Sequence, residues 1–386
     1  MSRKLLYVDV WPKMFVLHRM GLAKAAQNAG YDIHVAAPDE AERQSIAAAG
    51  FHFHEIPLDR RSINPWREFR CIAALVRLFR ELRPDLVHAM RLKPIVYGGI
   101  AARVTRASAI VYGTTGLGYA FSKNSIKTIL LRTVLKAGFR QALRHPNCRI
   151  LVENPDDAST LVSCGLVAAG MARVIKGVGI DLSQFPLLGQ AEGEPVVVLA
   201  SRMLWDKGVG EFVSAAVRLR AEGVRARFAL VGDTDPGNRS AVPASQLEEW
   251  KRLGIVEWWG WQKEMAPVFA QAHVVCLPSY YREGVPRILI EAAACGRPIV
   301  TTDAPGCREI VNHNHNGLLV PVKDSTALAA ALRTLIEDPA MRERMGINGR
   351  ALAAGEFSQE CVNEATLRVY DELLGSSCPD LVASTI

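Results

Sequence analysis

Long apolar runs are missing from this 386-residue chain: no uninterrupted stretch reaches the roughly 18 residues that a membrane-spanning helix needs. No spanning segment is therefore expected. No signal-peptide cleavage pattern precedes the first apolar strand, so no secretory leader is expected. Paired cysteines are missing too. The eight Cys are scattered and none forms Cys-x-x-Cys. That composition predicts buried thiols in a reducing compartment, not a disulfide framework or a cysteine zinc site. The chain has no Gly-x4-Gly-Lys-Ser/Thr, so P-loop chemistry is unsupported. Its first strand–helix turn, residues 9–16, holds no glycine, which argues against a dinucleotide site. No repeat of 20–50 residues and no low-complexity tract is visible.

What is present describes an ordinary globular protein, with 49% hydrophobic and 22% charged residues. The length favours two domains over one core. Charge is uneven. Residues 1–178 carry 26 Lys and Arg against 13 Asp and Glu, and residues 179–386 carry 20 against 26. Only the first half is expected to meet an anionic surface.

Strands and helices alternate in both halves. Apolar runs at 4–10, 32–37, 85–88, 109–112 and 149–152 read as strands, with helices at 15–29 and 65–82. The pattern restarts at 195–200. Strands follow at 227–231, 255–258, 274–277, 298–301 and 317–320, with helices at 209–221, 244–253, 263–271 and 286–295. Three helices are expected in 325–374. Such alternation predicts parallel sheets covered on both faces, with ligands beyond the C-terminal strand ends. Residues 177–193, rich in Gly, Pro and polar groups, read as a linker.

Chemistry concentrates in the second half. Glu283-Gly284-Val285-Pro286-Arg287-Ile288-Leu289-Ile290-Glu291 spans a loop-to-helix junction after a strand. Unpaired amides and the positive dipole end of a helix N-terminus favour an anion there. The two carboxylates would bracket a ligand carrying both phosphate and hydroxyl-rich rings, such as a nucleotide sugar. The plainer reading makes them a solvated loop acid and a first-turn acid. A second element, Ser201-Arg202-Met203-Leu204-Trp205-Asp206-Lys207-Gly208, follows the first strand of that half. Its two cations, five residues apart, can reach two oxygens of one diphosphate. As an isolated turn it would be solvated charge. Placed at a strand end beside the first element, it favours a site.

These motifs resemble the retaining family-4 glycosyltransferases. The resemblance rests on Arg202-x4-Lys207, Glu283-x7-Glu291 and the following Ala292-Ala293-Ala294-Cys295-Gly296-Arg297-Pro298, and extends to Leu17-His18-Arg19-Met20, Pro84-Asp85-Leu86-Val87-His88, Gly116-Leu117-Gly118-Tyr119, Gly177-Val178-Gly179-Ile180-Asp181 and Pro305-Gly306-Cys307-Arg308-Glu309. A bacterial subgroup acting on undecaprenyl-diphosphate-linked sugars is the nearest that can be named. The resemblance implies the GT-B fold: α/β, two Rossmann-like doubly wound domains facing a central cleft. It implies an acceptor-binding domain over 1–178, a nucleotide-sugar domain over 194–356, and a C-terminal helix at about 359–374 packing back on the first.

The same resemblance implies roles. Arg202 and Lys207 would hold the donor diphosphate and neutralise the leaving group. Glu283 would bond the sugar ring. The backbone amides around Gly284, Val285, Pro286 and Arg287, of which Pro286 itself has no N–H, would meet a phosphate, and Glu291 would accept from ribose. Leaving-group departure develops negative charge, which preorganised cations and amides stabilise. No metal and no cofactor is expected, because the cations do the metal's work. Front-face attack and double displacement on a carboxylate both stay open. His18, Arg19, His88 and Lys93 lie near strand ends of the first half and, with the Gly116–Tyr119 loop, are acceptor-binding candidates. A lone His near a strand end is more often a hydrogen-bonded structural group.

Asp233-Thr234-Asp235 has metal-binding spacing, but its neighbours Pro236-Gly237-Asn238 read as a turn. Trp258, Trp259 and Trp261 flank Gly260, and core packing is preferred to nucleobase stacking. Residues 126–144 form a basic amphipathic stretch, and Arg67, Arg70, Arg77 and Arg80 a second basic stripe. With the basic first half, they suggest contact with anionic lipid over nucleic acid, for which no recognition motif is seen. The expected function is transfer of a hexose or N-acetylhexosamine from a UDP-sugar to a polyprenyl-diphosphate-linked saccharide, at the cytoplasmic face of the inner membrane. The alternatives are a nucleotide-sugar epimerase of similar fold and a non-catalytic nucleotide-sugar-binding subunit.

Overall fold

The computed structural model describes residues 2–39, 41–60, 62, 64–114, 116 and 137–375. The chain divides into two units, Met1–Gly179 with Gln359–Ile386, and Ile180–Ser358.

The first unit is built on β1 (Arg3–Val8), β2 (Tyr31–Ala37), β3 (His52–Glu55), β4 (Leu86–Met90), β5 (Ile110–Gly113), β6 (Cys148–Val152) and β7 (Ala172–Val174). They form a parallel sheet in the order β3-β2-β1-β4-β5-β6-β7. Leu5, Leu6, Tyr7 and Val8 of β1 are buried on both faces, as continuous apolar runs require in a sheet covered twice. Its helices include α1 (Pro12–His18), α2 (Met20–Asn28), α3 (Arg43–Ala48), α4 (Pro65–Leu82), α5 (Leu92–Thr105) and α6 (Pro155–Ser163). The start of α4 is fixed by Asn64, whose side chain accepts from Trp66 N and Arg67 N, with Pro65 in the first turn. It buries Cys71, Leu75 and Phe79, one residue per turn.

The second unit holds β8 (Val196–Ala200), β9 (Arg227–Val231), β10 (Glu257–Gly260), β11 (Val274–Leu277), β12 (Ile299–Thr302) and β13 (Gly317–Val320), in the order β10-β9-β8-β11-β12-β13. It is also parallel. Its helices are α7 (Val209–Ala221), α8 (Ala244–Arg252), α9 (Ala266–Gln271), α10 (Arg287–Ala294), α11 (Ser325–Glu337) and α12 (Pro339–Glu356). The order reverses direction at β8, so β8 and β11 diverge at the switch point where open α/β sheets bind ligands.

The last helix, α13 (Gln359–Leu374), belongs to the first unit. Val369, Tyr370 and Leu373 join a core of Leu5, Tyr7, Phe15, Leu22 and Ile33. Tyr370 is fully buried, with its hydroxyl 2.6 Å from His88 Nδ1 and 3.4 Å from Tyr7 Oη. Arg149 and Arg173 clamp Glu372 from the sheet side at 3.0 and 2.8 Å.

Two sequence expectations change here, and a third falls largely outside the described residues. The helix at 15–29 is two helices, broken at Arg19, whose φ of −126° leaves the helical region. The linker at 177–193 joins the second unit from residue 180, because Ile180 and Phe185 are buried in its core. The basic stretch 126–144 lies outside the described residues up to residue 136.

Candidate active site

Four loops at the C-terminal ends of β8, β9, β10 and β11 surround a cavity of about 540 Å³ in the second unit. Arg202, Lys207, Glu283, Pro286 and Arg287 line it, together with Trp261 and the 233–236 segment. The sequence around β8 explains the first part. After the buried run Val196–Ala200 the chain makes one 3₁₀ turn, Trp205–Lys207, and enters α7 through Gly208. Gly208 has φ +78°, and a Cβ there would sit 2.2 Å from Pro278 O, so only glycine lets this loop close onto β11. Gly306 plays the same part below the acidic loop. With φ +87°, it leaves room for Gly284 O, which a Cβ would approach to 2.2 Å.

Both cations are held by acids. Lys207 Nζ donates to Glu283 Oε1 at 2.6 Å, and the pair is mostly buried, with side-chain exposures of 12% and 18%. Ser279 Oγ lies 3.1 Å from Glu283 Oε1 and orients the carboxylate. Arg202 Nη1 donates to Asp235 Oδ2 at 2.9 Å on the open rim. The first turn of α10 begins at Arg287 without a side-chain cap, and Pro286, Arg287 and Ile288 face the cavity. Its dipole adds positive potential to the two cations. A diphosphate entering here would compete with two carboxylates for two cations.

Not every predicted group reaches the cavity. Gly284 and Val285 are buried, Gly284 against Gly306, and do not line it. Glu291 is buried too. Its Oε1 accepts from Arg287 Nε at 2.7 Å, and burial raises its pKa despite the opposing pull of Arg287. Arg287 thus stands between Glu291 and the cavity. Asp233–Asp235 is extended, with Thr234 bridged to Met203, and the turn follows it, where Asn238 N donates to Asp235 O.

In the first unit, His88 and Lys93 are engaged with other parts of the protein. His88 is fully buried, and its imidazole pKa is held well below its ordinary value by burial, with Arg19 adding to the shift. Its Nδ1 is committed to Tyr370 of α13. Lys93 spends its ammonium on Asp59 O, Ser62 O and Glu68 at 2.8, 2.6 and 2.9 Å, fastening the loop before α4. His18 ends α1, and Arg19 joins α1 to α2. Gly116 has φ +96°, and Tyr119 lies outside the described residues.

Sequence reading missed two features. Trp261 is 66% exposed on the cavity rim, not packed in the core. The signal was Gly260, whose φ of +65° ends β10 and turns the third tryptophan outward. At the ends of β1 and β4, Asp9 is fully buried and pairs with Arg91, and its Oδ2 has no partner among the described residues. No pattern in the sequence couples these two positions; only the β1–β4 pairing does.

Two family models match the chain. "Glycosyl transferases group 1" covers residues 194–338, which contain the whole cavity, and "Glycosyl transferase 4-like" covers residues 4–144. The chain belongs to the 4-like, group 1 glycosyltransferases. Similar proteins agree. The Campylobacter jejuni N,N'-diacetylbacillosaminyl-diphospho-undecaprenol alpha-1,3-N-acetylgalactosaminyltransferase is 26% identical over 369 residues, covering 92% of this chain and 95% of that protein. The Staphylococcus aureus capsular polysaccharide biosynthesis glycosyltransferase CapM is 22% identical, covering 97% and 99%. The fold of this transferase matches Anabaena HepE, solved with UDP, at a TM-score of 0.76, 21% identity and 96% and 100% coverage. The fold is GT-B.

The Arg202–Asp235 pair predicts a gain of function in the transferase. An exposed pair is worth at most about 1 kcal/mol. Asp235→Asn should free Arg202 for the donor and lower the donor KM by about two- to fivefold with kcat unchanged. Initial-rate kinetics over donor concentration would show it, and a raised KM would speak against competition between Asp235 and the donor.

Proposed function

We propose that this transferase moves a hexose or N-acetylhexosamine from a UDP-sugar to a polyprenyl-diphosphate-linked saccharide, with retention of anomeric configuration, in bacterial surface glycan synthesis. One observation carries the reading: Arg202, Lys207, Glu283 and the first turn of α10 meet around one cavity at the sheet's switch point. That arrangement suits a donor with two phosphates and a hydroxyl-rich ring. Trp261 offers a flat apolar face on the rim for the base. HepE was solved with UDP and with UDP-glucose, and the Campylobacter jejuni relative is named for a lipid-linked acceptor.

In this mechanism Arg202 and Lys207 neutralise the leaving UDP as its bond to the anomeric carbon lengthens, in place of a divalent metal. Glu283 releases Lys207 to the diphosphate and accepts from the sugar ring. Glu291 acts through Arg287, whose guanidinium it holds against the nucleotide. The acceptor is assigned to the first unit, with His18, Arg19 and Gly116 as its contacts.

A lipid-linked acceptor brings the enzyme to the cytoplasmic face of the inner membrane. Helix α4 supports that placement. Trp66 and Phe69 are 70% and 60% exposed and stacked 5.9 Å apart, beside exposed Arg67, Arg70, Arg77 and Arg80. Interfacial aromatics flanked by cations suit an anionic lipid surface, at about 1 kcal/mol per cation near the headgroups.

The test is a panel of nucleotide sugars against membrane-extracted polyprenyl-diphosphate saccharides, read by mass spectrometry, with the anomeric configuration read by NMR. One UDP-sugar should add a single residue to the lipid-linked acceptor with retention. Epimerised donor without acceptor, or transfer only to water-soluble acceptors, would overturn the assignment.

A further inference from the structure

Far from the transfer chemistry in kind, the edge of the first unit's sheet gathers four polar side chains on one face. His34 of β2 lies opposite His52 of β3 in the parallel register. Asp32 and His54 sit two residues along the same strands, so the alternation of strand side chains brings them to the same face. Asp32 Oδ2 is 3.1 Å from His34 Nε2, and Asp32 Oδ1 is 3.2 Å from His52 Nε2. The three potential ligand atoms all fall within 4.8 Å of one another. Tetrahedral zinc with bonds near 2.1 Å places ligands about 3.4 Å apart. The observed separations suit one carboxylate and two imidazoles around one small cation.

We propose that Asp32, His34 Nε2 and His52 Nε2 form a binding site for a divalent transition metal such as Zn²⁺, completed by water on the open side. The second shell is already in place. Metal-ligating histidines donate their other ring N–H to a neighbouring acceptor. His34 Nδ1 lies 2.9 Å from His54 Nε2, which accepts once His34 carries its proton on Nδ1. Without metal the same atoms serve the other tautomers: Nε2–H of His34 and His52 donate to Asp32, and His54 Nε2–H donates to His34 Nδ1. Loading therefore needs a shift of protons between ring nitrogens, not a rearrangement of strands. Lys4 stands opposite Asp32 in register but gives its ammonium to Leu82 O at 3.2 Å, so it does not occupy the carboxylate.

The position says what such a site would do. It lies toward the starts of β2 and β3, whereas the substrates of open parallel sheets bind beyond the strand ends. The short edge strand β3 pairs only with β2 among the described residues, and a shared metal would tie the two together. The expectation of no metal is thereby narrowed to the transfer chemistry. Cysteine spacing could not reveal this site, because its ligands are histidine and aspartate.

The test uses tag-free, chelator-treated full-length protein titrated with Zn²⁺ against a chromophoric competitor, with Co²⁺ as a spectroscopic probe. One equivalent should bind. His52→Ala, at an exposed edge position, should weaken binding by at least about tenfold. His54→Ala should weaken it by about 10–100-fold while the Co²⁺ spectrum keeps its ligand-field bands. Equal thermal midpoints of the metal-free variants and wild type exclude misfolding as the cause. No saturable uptake by the wild-type protein, or uptake unchanged in His52→Ala, would overturn the proposal.

Discussion

Replacing Lys207 with Ala is expected to lower kcat by about 10²–10³, while the protein stays folded. The size follows from removing one preorganised donor aimed at charge that develops in the transition state, about 2.7–4 kcal/mol. Two facts make Lys207 the more sensitive cation. Its ammonium is only 12% exposed, against 61% for Arg202, so its field is less screened by water. It also holds Glu283, so its loss removes the ammonium from a largely buried carboxylate beside the donor phosphates. Lys207→Arg is not expected to rescue, because a planar guanidinium fork does not replace a compact ammonium against Glu283. Stopped or steady-state assays with saturating donor, beside a circular dichroism melt, separate chemistry from folding. A kcat within threefold of wild type would remove Lys207 from the leaving-group chemistry.

Tyr370→Ala should destabilise the first unit by about 3–5 kcal/mol, the range for truncating a fully buried aromatic. Its ring packs edge-on to Tyr31 and His88, and its hydroxyl joins His88 to Tyr7. Truncation opens a cavity beneath α13 and leaves His88 Nδ1 without this bond. His88 Nε2 already lacks a partner among the described residues. Tyr370→Phe keeps the volume and removes only the hydroxyl, at a cost of about 1–3 kcal/mol. Urea unfolding followed by fluorescence gives both values. If the two variants lost equal stability, the hydrogen bonds rather than packing would hold the returning helix.

How much of this was legible beforehand depended on burial. Strands with continuous apolar runs, such as Val196–Ala200 and Val274–Leu277, announce themselves because a sheet covered on both faces tolerates nothing else. Helix α4 reads correctly at both ends because Asn64-Pro65 caps it and its buried residues recur every four positions. By contrast, β3 is His-Phe-His-Glu, a half-exposed edge strand with no apolar signal, and β7 is only three residues long. Arg202, Lys207, Glu283 and Arg287 could be grouped from sequence because each follows a buried strand of the second unit. The burial of Glu291 behind Arg287 depends on a side-chain pairing across one helical turn that competes with the cavity. The commitments of His88 and Lys93 depend on α13 and on the loop before α4, neither of which is local to them. The metal cluster needed the β2–β3 register, which sets His34 opposite His52.

The central claim is that the cavity of the second unit holds a nucleoside diphosphate between Arg202 and Lys207. A crystal structure of the protein with UDP tests it most directly. The diphosphate should lie within hydrogen-bond distance of the Arg202 guanidinium and the Lys207 ammonium, with the first turn of α10 beside it and the uracil near Trp261. UDP bound elsewhere, with Lys207 still closed on Glu283, would contradict it.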